Sequence, residues 1–308
     1  MSIARSLLLR AADSHWLAGQ MARRSFAKRA VRRFMPGERL EDALDAATTL
    51  ARSSIGSLVT HLGEALRTED EARAVRDHYL GTFDTIHQRG LATWVSVKPT
   101  QLGLDLSPDL CRRYLLELAD KAESTGSSLW LDMEDSRYVD RTIELYRAMK
   151  LRHPKAGIAI QAYLRRTPKD LQALLDVKPL VRLVKGAYAE PVSVAFAEKR
   201  ETDLAFFDLG RQLLEAAARG QATAIFGTHD LVLIARLIDA AKRLQVPPSG
   251  YEIHMLYGIR AADQVQLARE GHTVKTLISY GSAWFKWYMR RLAERPANVW
   301  FVMKTMVT

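Results

Sequence analysis

Polar or charged residues recur along this chain at or just after the ends of short runs of apolar, β-branched residues. These residues are Glu64, Lys98, Asp132, Gln161, Lys185, Thr228, His229 and His254. One further cation, Arg182, lies within such an apolar run. A charge beside an apolar core is costly unless it pairs with an opposite charge or acts on a ligand. One such charge would most simply be explained by a structural ion pair. Because seven of the eight runs end in polar or charged residues, a functional site is the better interpretation.

Two adjacent arginines near the C-terminus form a second candidate binding group. Trp287, Arg290, Arg291 and Glu294 are spaced so that they share one face of a helix. Neighbouring arginines can bind a carboxylate or a phosphate through paired hydrogen bonds. The alternative is an ordinary solvent-exposed pair. The place of this helix directly after the last predicted strand favours the binding role.

These residues require a scaffold that brings the strand ends together. The predicted strands span residues 55–62, 93–97, 129–131, 158–162, 181–184, 223–226, 251–255 and 274–279. Amphipathic helical stretches follow all but the last, for example at 109–122, 140–151, 203–217 and 232–244, and a final helix is predicted around 284–293. Eight such units predict an α/β protein with one closed (β/α)8 TIM-type barrel, whose active face lies at the carboxyl ends of the strands. Lys98 and Asp132 would then lie on neighbouring strands, close enough to pair.

Length and motif content narrow the function classes. The 308 residues would allow two domains of roughly 150 residues each, but about 250 residues commonly form one barrel. We therefore predict a basic helical arm over residues 1–50 and a catalytic barrel over 51–308. No two glycines lie two residues apart, so the G-x-G-x-x-G motif of dinucleotide-binding sheets is absent. Eight histidines without H-x-H or H-x-x-x-H spacing, and the single cysteine Cys111, indicate no metal site.

Most of the formal net charge of +10 is concentrated in the arm. Residues 1–35 contain eight Arg or Lys residues and one acid, Asp13, so they carry +7. A basic arm on a nearly neutral body does not suit a nucleic-acid-binding domain, and we expect no nucleic acid partner. The arm could lie on anionic lipid at the inner membrane or pack on the body, and both remain open. We expect a cytoplasmic protein, with a mitochondrial transit peptide as the alternative reading of the arm.

Seven segments together resemble the bacterial monofunctional proline dehydrogenases. They are VSVKPTQLGLDLS (95–107), LWLDMEDS (129–136), IQAYLRRT (160–167), RLVKGAYAEP (182–191), FGTHD (226–230), YGIRAADQ (257–264) and WYMRRLAERP (287–296). The similarity covers nearly the whole chain, and RLVKGAY is specific in combination with RR-x-x-E. Members of this family are FAD-dependent (β/α)8 barrels that oxidise L-proline to Δ1-pyrroline-5-carboxylate, so the resemblance implies an oxidoreductase of proline catabolism.

The resemblance also implies roles for individual residues. Asp132, Arg182 and Lys98 would be catalytic, with Arg182 near flavin N5 and Lys98 paired with Asp132 beside the substrate. The cofactor FAD would contact Met133, Gln161, Arg182, Lys185, Gly186, Ala187, Thr228 and His229, and we expect His254 beside the cofactor or in the core. The substrate would contact Lys98, Glu64, Tyr188, Leu256, Leu277, Trp287, Arg290 and Arg291. The two arginines would clamp its carboxylate and Glu64 would pair with one of them. Electrons would pass to a quinone or another acceptor.

Departures from the family pattern concern the substrate side of the pocket. Leu277 and Trp287 stand where tyrosines are usual, Ser279 stands where proline is common, and His254 stands where glutamine is usual. The substrate could therefore be proline or another small cyclic amino acid, such as hydroxyproline or a larger imino acid. A non-catalytic barrel that binds membrane or nucleic acid through its arm is the alternative from a different class.

Overall fold

The computed structural model describes residues 31–63, 66–285 and 288–289. Eight parallel strands close into one barrel, in which each strand pairs with the next along the chain and β8 pairs with β1. The strands are Gly56–His61 (β1), Thr93–Val97 (β2), Leu129–Leu131 (β3), Gly157–Gln161 (β4), Leu180–Val184 (β5), Thr223–Gly227 (β6), Tyr251–Leu256 (β7) and Thr273–Tyr280 (β8). This confirms the predicted (β/α)8 barrel.

Helices cover the outside of the barrel. They are Leu40–Ala51 (α1), Glu69–Gln88 (α2), Pro108–Ser124 (α3), Val139–Arg152 (α4), Thr167–Leu174 (α5), Lys199–Ala218 (α6), Leu231–Arg243 (α7) and Ala261–Arg269 (α8). Helix α1 precedes β1, and α2 to α8 form the crossovers between successive strands. The apolar stripe of each amphipathic helix explains its position, as in α7, where Leu233, Ile234 and Leu237 are buried.

Capping residues fix where several helices begin at the active face. Thr68 accepts a hydrogen bond from the Glu71 amide, and Ser107 accepts one from the Leu110 amide, each at 3.2 Å. Such side chains satisfy backbone donors that the first helical turn leaves free. Thr68 and Ser107 therefore fix the first residues of α2 and α3.

The end of the basic arm packs on the barrel. Val31 and Met35 are buried, and the Phe34 ring lies 6.2 Å from the ring of Tyr288. The carbonyl oxygen of Arg33 lies so close to Gly258 that a Cβ atom there would be 1.6 Å from it. For residues 31–35 the structure thus shows packing on the body, while residues 1–30 lie outside the described part. Within the described part, no helix is both long and apolar enough to cross a bilayer.

Charged residues occupy the barrel interior near the amino ends of the strands. The Lys275 ammonium donates to both carboxylate oxygens of Glu252, at 2.8 and 2.9 Å, and lies 3.1 Å from the centre of the Trp94 ring. Trp94 stacks on Trp130 with ring centres 5.8 Å apart. Barrel interiors are usually filled with branched apolar side chains. Here an ion pair and two indoles lie beside the branched apolar residues Leu58 and Ile225.

His254 belongs to this interior cluster. We predicted it at the carboxyl end of its strand, but β7 continues to Leu256, so that placement is wrong by two residues. Its Nε2 lies 2.7 Å from the Glu252 carboxylate. Burial lowers the pKa of His254 to about 4, and the opposing effect of Glu252 does not overcome it. The imidazole is therefore neutral at pH 7 and donates its Nε2 proton to Glu252. Its expected contact with a cofactor stays a prediction.

The neutral His254 makes stability depend on pH. Its pKa is about 4 in the folded chain against 6.5 for an ordinary histidine, so the unfolded chain takes up the proton first. The free energy of unfolding must therefore fall as the pH decreases from 6.5 toward 4. Between pH 7 and pH 5.5 the wild type should lose about 1 kcal/mol more than His254→Gln. Urea unfolding at both pH values measures this, and equal losses in the two proteins would contradict it.

Candidate active site

One carboxylate binds two cations at the carboxyl ends of β2, β3 and β5. Lys98 donates to Asp132 Oδ2 at 3.0 Å, which is the predicted ion pair. Arg182, in β5, donates through Nη2 to Asp132 Oδ1. The Ser96 hydroxyl also donates to Asp132 Oδ1, at 2.8 Å, and accepts from Arg182 Nη2 at 3.2 Å. The four side chains form one connected network inside the mouth of the barrel.

This network holds its members in their charged forms. Burial alone would lower the pKa of Lys98, but the neighbouring Asp132 carboxylate raises it above its usual range. Burial would likewise raise the pKa of Asp132, but Lys98 and Arg182 together lower it. Burial lowers the pKa of Arg182, yet a guanidinium in proteins keeps its proton. Two cations thus face one carboxylate, so one positive charge at the site is not balanced by Asp132.

The Arg182 guanidinium packs against an aromatic ring. Its central carbon lies 5.2 Å from the centre of the Trp130 ring, within the range of a cation–π contact. The side chain is 4% exposed. Gly227, on the neighbouring strand, leaves room for it, since a Cβ atom there would lie 3.2 Å from Arg182 Cγ. The guanidinium therefore contacts the Trp130 indole and donates a hydrogen bond to Asp132.

Two buried polar atoms at this site have no hydrogen-bond partner in the described part of the chain. They are Arg182 Nη1, a donor, and Gln161 Oε1, an acceptor. Gln161 is 3% exposed, and its Nε2 lies 3.5 Å from the carbonyl oxygen of Met133. Buried polar atoms without partners are rare unless a ligand or water completes them. A planar ring system with donors and acceptors on its edge, such as a flavin, fits this pair.

The loop after β5 is shaped by a glycine and a lysine. Gly186 has φ of +115°, and a Cβ atom there would lie 2.1 Å from the Tyr163 ring. Only glycine fits such a position without strain. Lys185 donates to Asp203 at 2.5 Å and to Asp230 at 3.0 Å. Its charge is therefore already matched by two carboxylates, and its role in cofactor binding stays a prediction.

The remaining predicted residues divide into three groups. Leu256 and Leu277 lie side by side as register partners on β7 and β8. Leu277 also packs against the interior residues Leu58, Trp130 and Ile225. Thr228 follows β6 and accepts from the Asp230 amide at 3.2 Å; Met133, Ala187, Tyr188 and His229 lie on loops after β3, β5 and β6. Glu64, Trp287, Arg290 and Arg291 lie outside the described residues.

Ser96 is the site residue that sequence reasoning missed. It lies two residues before Lys98 in a strand, so both side chains point to the same face. A serine after the apolar and aromatic residues of TWVSV, on the face that ends in a lysine, was the available signal. Among the described residues, no group of three or more His, Cys, Asp or Glu side chains is arranged to hold a metal ion.

Comparison with known proteins gives consistent matches. The family model described as proline dehydrogenase matches residues 43–304. The chain is 40% identical over 274 residues to proline dehydrogenase 1 of Bacillus subtilis, covering 89% of each chain. It is 34% identical over 284 residues to a proline dehydrogenase of Deinococcus radiodurans, again with 89% of each chain covered.

Solved structures agree in fold. Proline utilization A from Bdellovibrio bacteriovorus, inactivated by N-propargylglycine, matches with a TM-score of 0.81 and 22% identity, covering 94% of this chain and 36% of that one. A structure of proline utilization A with proline bound in remote sites matches with a TM-score of 0.73 and 26% identity, covering 91% and 32%. The chain spans about a third of the length of these larger proteins. The family match over most of the sequence confirms the predicted oxidoreductase: the chain belongs to the proline dehydrogenase family.

Proposed function

We propose that the protein oxidises L-proline to Δ1-pyrroline-5-carboxylate with FAD as cofactor, and that a quinone or another acceptor takes the electrons. The observation that carries this proposal is the buried network of Lys98, Asp132 and Arg182 at the mouth of the barrel. Arg182 Nη1 and Gln161 Oε1, which lack partners in the described part of the chain, support a polar ring beside that network. The names of the curated relatives support proline as the substrate.

The proposed cofactor contacts follow from the same loops. FAD would be held by Met133, Gln161, Arg182, Lys185, Gly186, Ala187, Thr228 and His229. His254 would influence the cofactor site through Trp130, since the centres of the two rings lie 5.6 Å apart. FAD, when bound, supplies the acceptor for a hydride. The protein contributes position and charge. At Gly186 the absence of a side chain allows the backbone to approach a ligand closely.

The charge of the site suits an amine that reacts without its proton. Loss of a hydride from a carbon next to nitrogen requires the nitrogen lone pair, so the substrate amine must be neutral. Within the network the two cations Lys98 and Arg182 share one carboxylate, Asp132, and the Glu134 carboxylate also interacts with Lys98. A nearby positive charge lowers the pKa of an ammonium group. The network would thereby favour the reactive form of the bound substrate.

A different cyclic amino acid is the second candidate substrate. The observation behind it is the apolar pair Leu256 and Leu277, neighbours across β7 and β8, which suits the CH2 groups of a larger imino acid and offers no partner to the hydroxyl of hydroxyproline. Hydroxyproline or a larger imino acid would meet this wall differently from proline. The reaction on the flavin would be the same.

The first test is anaerobic reduction of the flavin. Protein purified with FAD should be yellow and should lose its absorbance near 450 nm, as flavins do when reduced, on addition of L-proline. Hydroxyproline and pipecolate, a six-membered imino acid, are compared at the same concentrations, with D-proline as the control. A colourless protein that cannot be loaded with FAD would overturn the enzyme proposal. A yellow protein that responds to another ring and not to proline would replace only the substrate.

A second prediction concerns the proposed carboxylate clamp. Arg291→Met should raise KM for L-proline steeply, by about tenfold or more, while the flavin content per protein stays that of the wild type, because only a substrate contact is lost. Steady-state kinetics and the ratio of absorbance at 450 to 280 nm measure the two quantities. An unchanged KM would remove Arg291 from the substrate site.

A third prediction concerns the charge network itself. Asp132→Asn should lower the free energy of unfolding by about 3 kcal/mol, because it leaves Lys98 and Arg182 buried without their carboxylate. Adding Lys98→Met should recover part of that loss, since one unmatched cation is removed. Urea unfolding of the flavin-free proteins measures this. If the loss of unfolding free energy in the double variant equals the sum of the losses caused by Asp132→Asn and Lys98→Met alone, the three charges do not act as one unit.

A further inference from the structure

A carboxylate links two loops on the active face of the barrel. Glu190, in the loop between β5 and α6, accepts a hydrogen bond from the backbone amide of Ser136 and another from its hydroxyl, each at 2.7 Å. Ser136 begins the short turn that joins β3 to α4. Hydrogen bonds to an ionised carboxylate are shorter and stronger than those between neutral groups. The two bonds hold the β5–α6 loop against the β3–α4 turn.

The same geometry occurs once more on this face. Glu134, directly after β3, accepts from the amide of Thr100 at 3.0 Å and from its hydroxyl at 2.7 Å. Thr100 lies in the turn after β2. Glu134 and Ser136 belong to one turn, so the loops after β2, β3 and β5 are connected in series. Three loops that could move independently are held as one unit.

The spacing relates these links to the candidate active site. Thr100 lies two residues after Lys98, Glu134 two after Asp132, and Glu190 two after Tyr188. Each of these three residues thus fixes the backbone near a residue assigned to catalysis or to substrate binding. The β5–α6 loop is also held beyond this point, where the Arg165 side chain donates to the carbonyl of Val192 at 3.1 Å. The link through Glu190 lies between that anchor and Tyr188.

We propose that Glu190 and Ser136 are positioning residues for the substrate pocket: their link holds the loop that carries Tyr188 against the turn that follows Asp132, and thereby sets the affinity for the cyclic amino acid. This inference rests on the proposed function. Neither residue touches the reacting atoms. Without the link, the loop would occupy the binding position for only a fraction of the time, and the apparent dissociation constant would rise in inverse proportion to that fraction.

The test uses four variants of the full chain loaded with FAD. Glu190→Ala should raise KM for L-proline by about tenfold, corresponding to a loop in place about one tenth of the time, with kcat and flavin content close to those of the wild type. Ser136→Ala should raise KM by less, because the backbone amide of residue 136 still donates to Glu190. The double variant should be no worse than Glu190→Ala alone, because that substitution already removes both hydrogen bonds of the link. Glu190→Gln should keep KM near the wild-type value, since its amide can accept from the Ser136 amide and donate to the Ser136 hydroxyl.

A matched control removes a carboxylate elsewhere. Glu117 accepts from Arg76 at 2.6 Å between α3 and α2, on the outside of the barrel, and Glu117→Ala should leave KM unchanged. Amide hydrogen exchange of the peptide containing Ser136, measured on flavin-free protein, should be faster in Glu190→Ala and not in Glu190→Gln.

The outcomes separate the two proposals. Faster exchange with an unchanged KM in Glu190→Ala would show that the link is only structural, and unchanged exchange would show that it does not hold the turn; either result overturns the inference. A wild type whose flavin is not reduced by L-proline overturns the proposed function and the claim about proline affinity. The exchange measurement then still decides whether the link exists.

Discussion

Burial of one carboxylate between two cations is the interaction on which the mouth of the barrel depends. Asp132 binds Lys98 and Arg182, and each of the three would be costly to bury alone. The constraint acts on geometry as well as on charge, because the three side chains come from three strands. Only a closed barrel with the observed register brings them together. The fold and the site are therefore consequences of the same strand pairing.

A second cluster lies deeper in the barrel, where Lys275 and the neutral His254 both bind Glu252. The stacked indoles of Trp94 and Trp130 lie beside it. Lys275 contacts the Trp94 ring and Arg182 contacts the Trp130 ring. The indole pair thus stands between two cations, whose direct contact would be repulsive. Aromatic faces attract cations from either side, so the pair can stand between the two cations within the barrel core.

Much of the fold was predictable because a β/α unit repeats eight times with strong apolar periodicity. The pairing of Lys98 with Asp132 was predictable for a related reason, since neighbouring strand ends must meet. Ser96 and the cluster around His254 were not found, because they depend on which face of a buried strand points inward and on side chains far apart in sequence. A strand buried on both faces gives no alternation from which to read that direction. The links through Glu134 and Glu190 join loops, whose paths local sequence does not determine.

Arg33 belongs to the basic arm and Gly258 to the barrel, and the main chain of the arm packs directly against the barrel at this glycine. The main-chain carbonyl of the arm occupies the volume where position 258 would carry a side chain. Any larger residue in the turn after β7 would have to push the arm away from the barrel. The path of the arm, more than two hundred positions away in the chain, therefore restricts position 258 to glycine, whatever side chain position 33 carries.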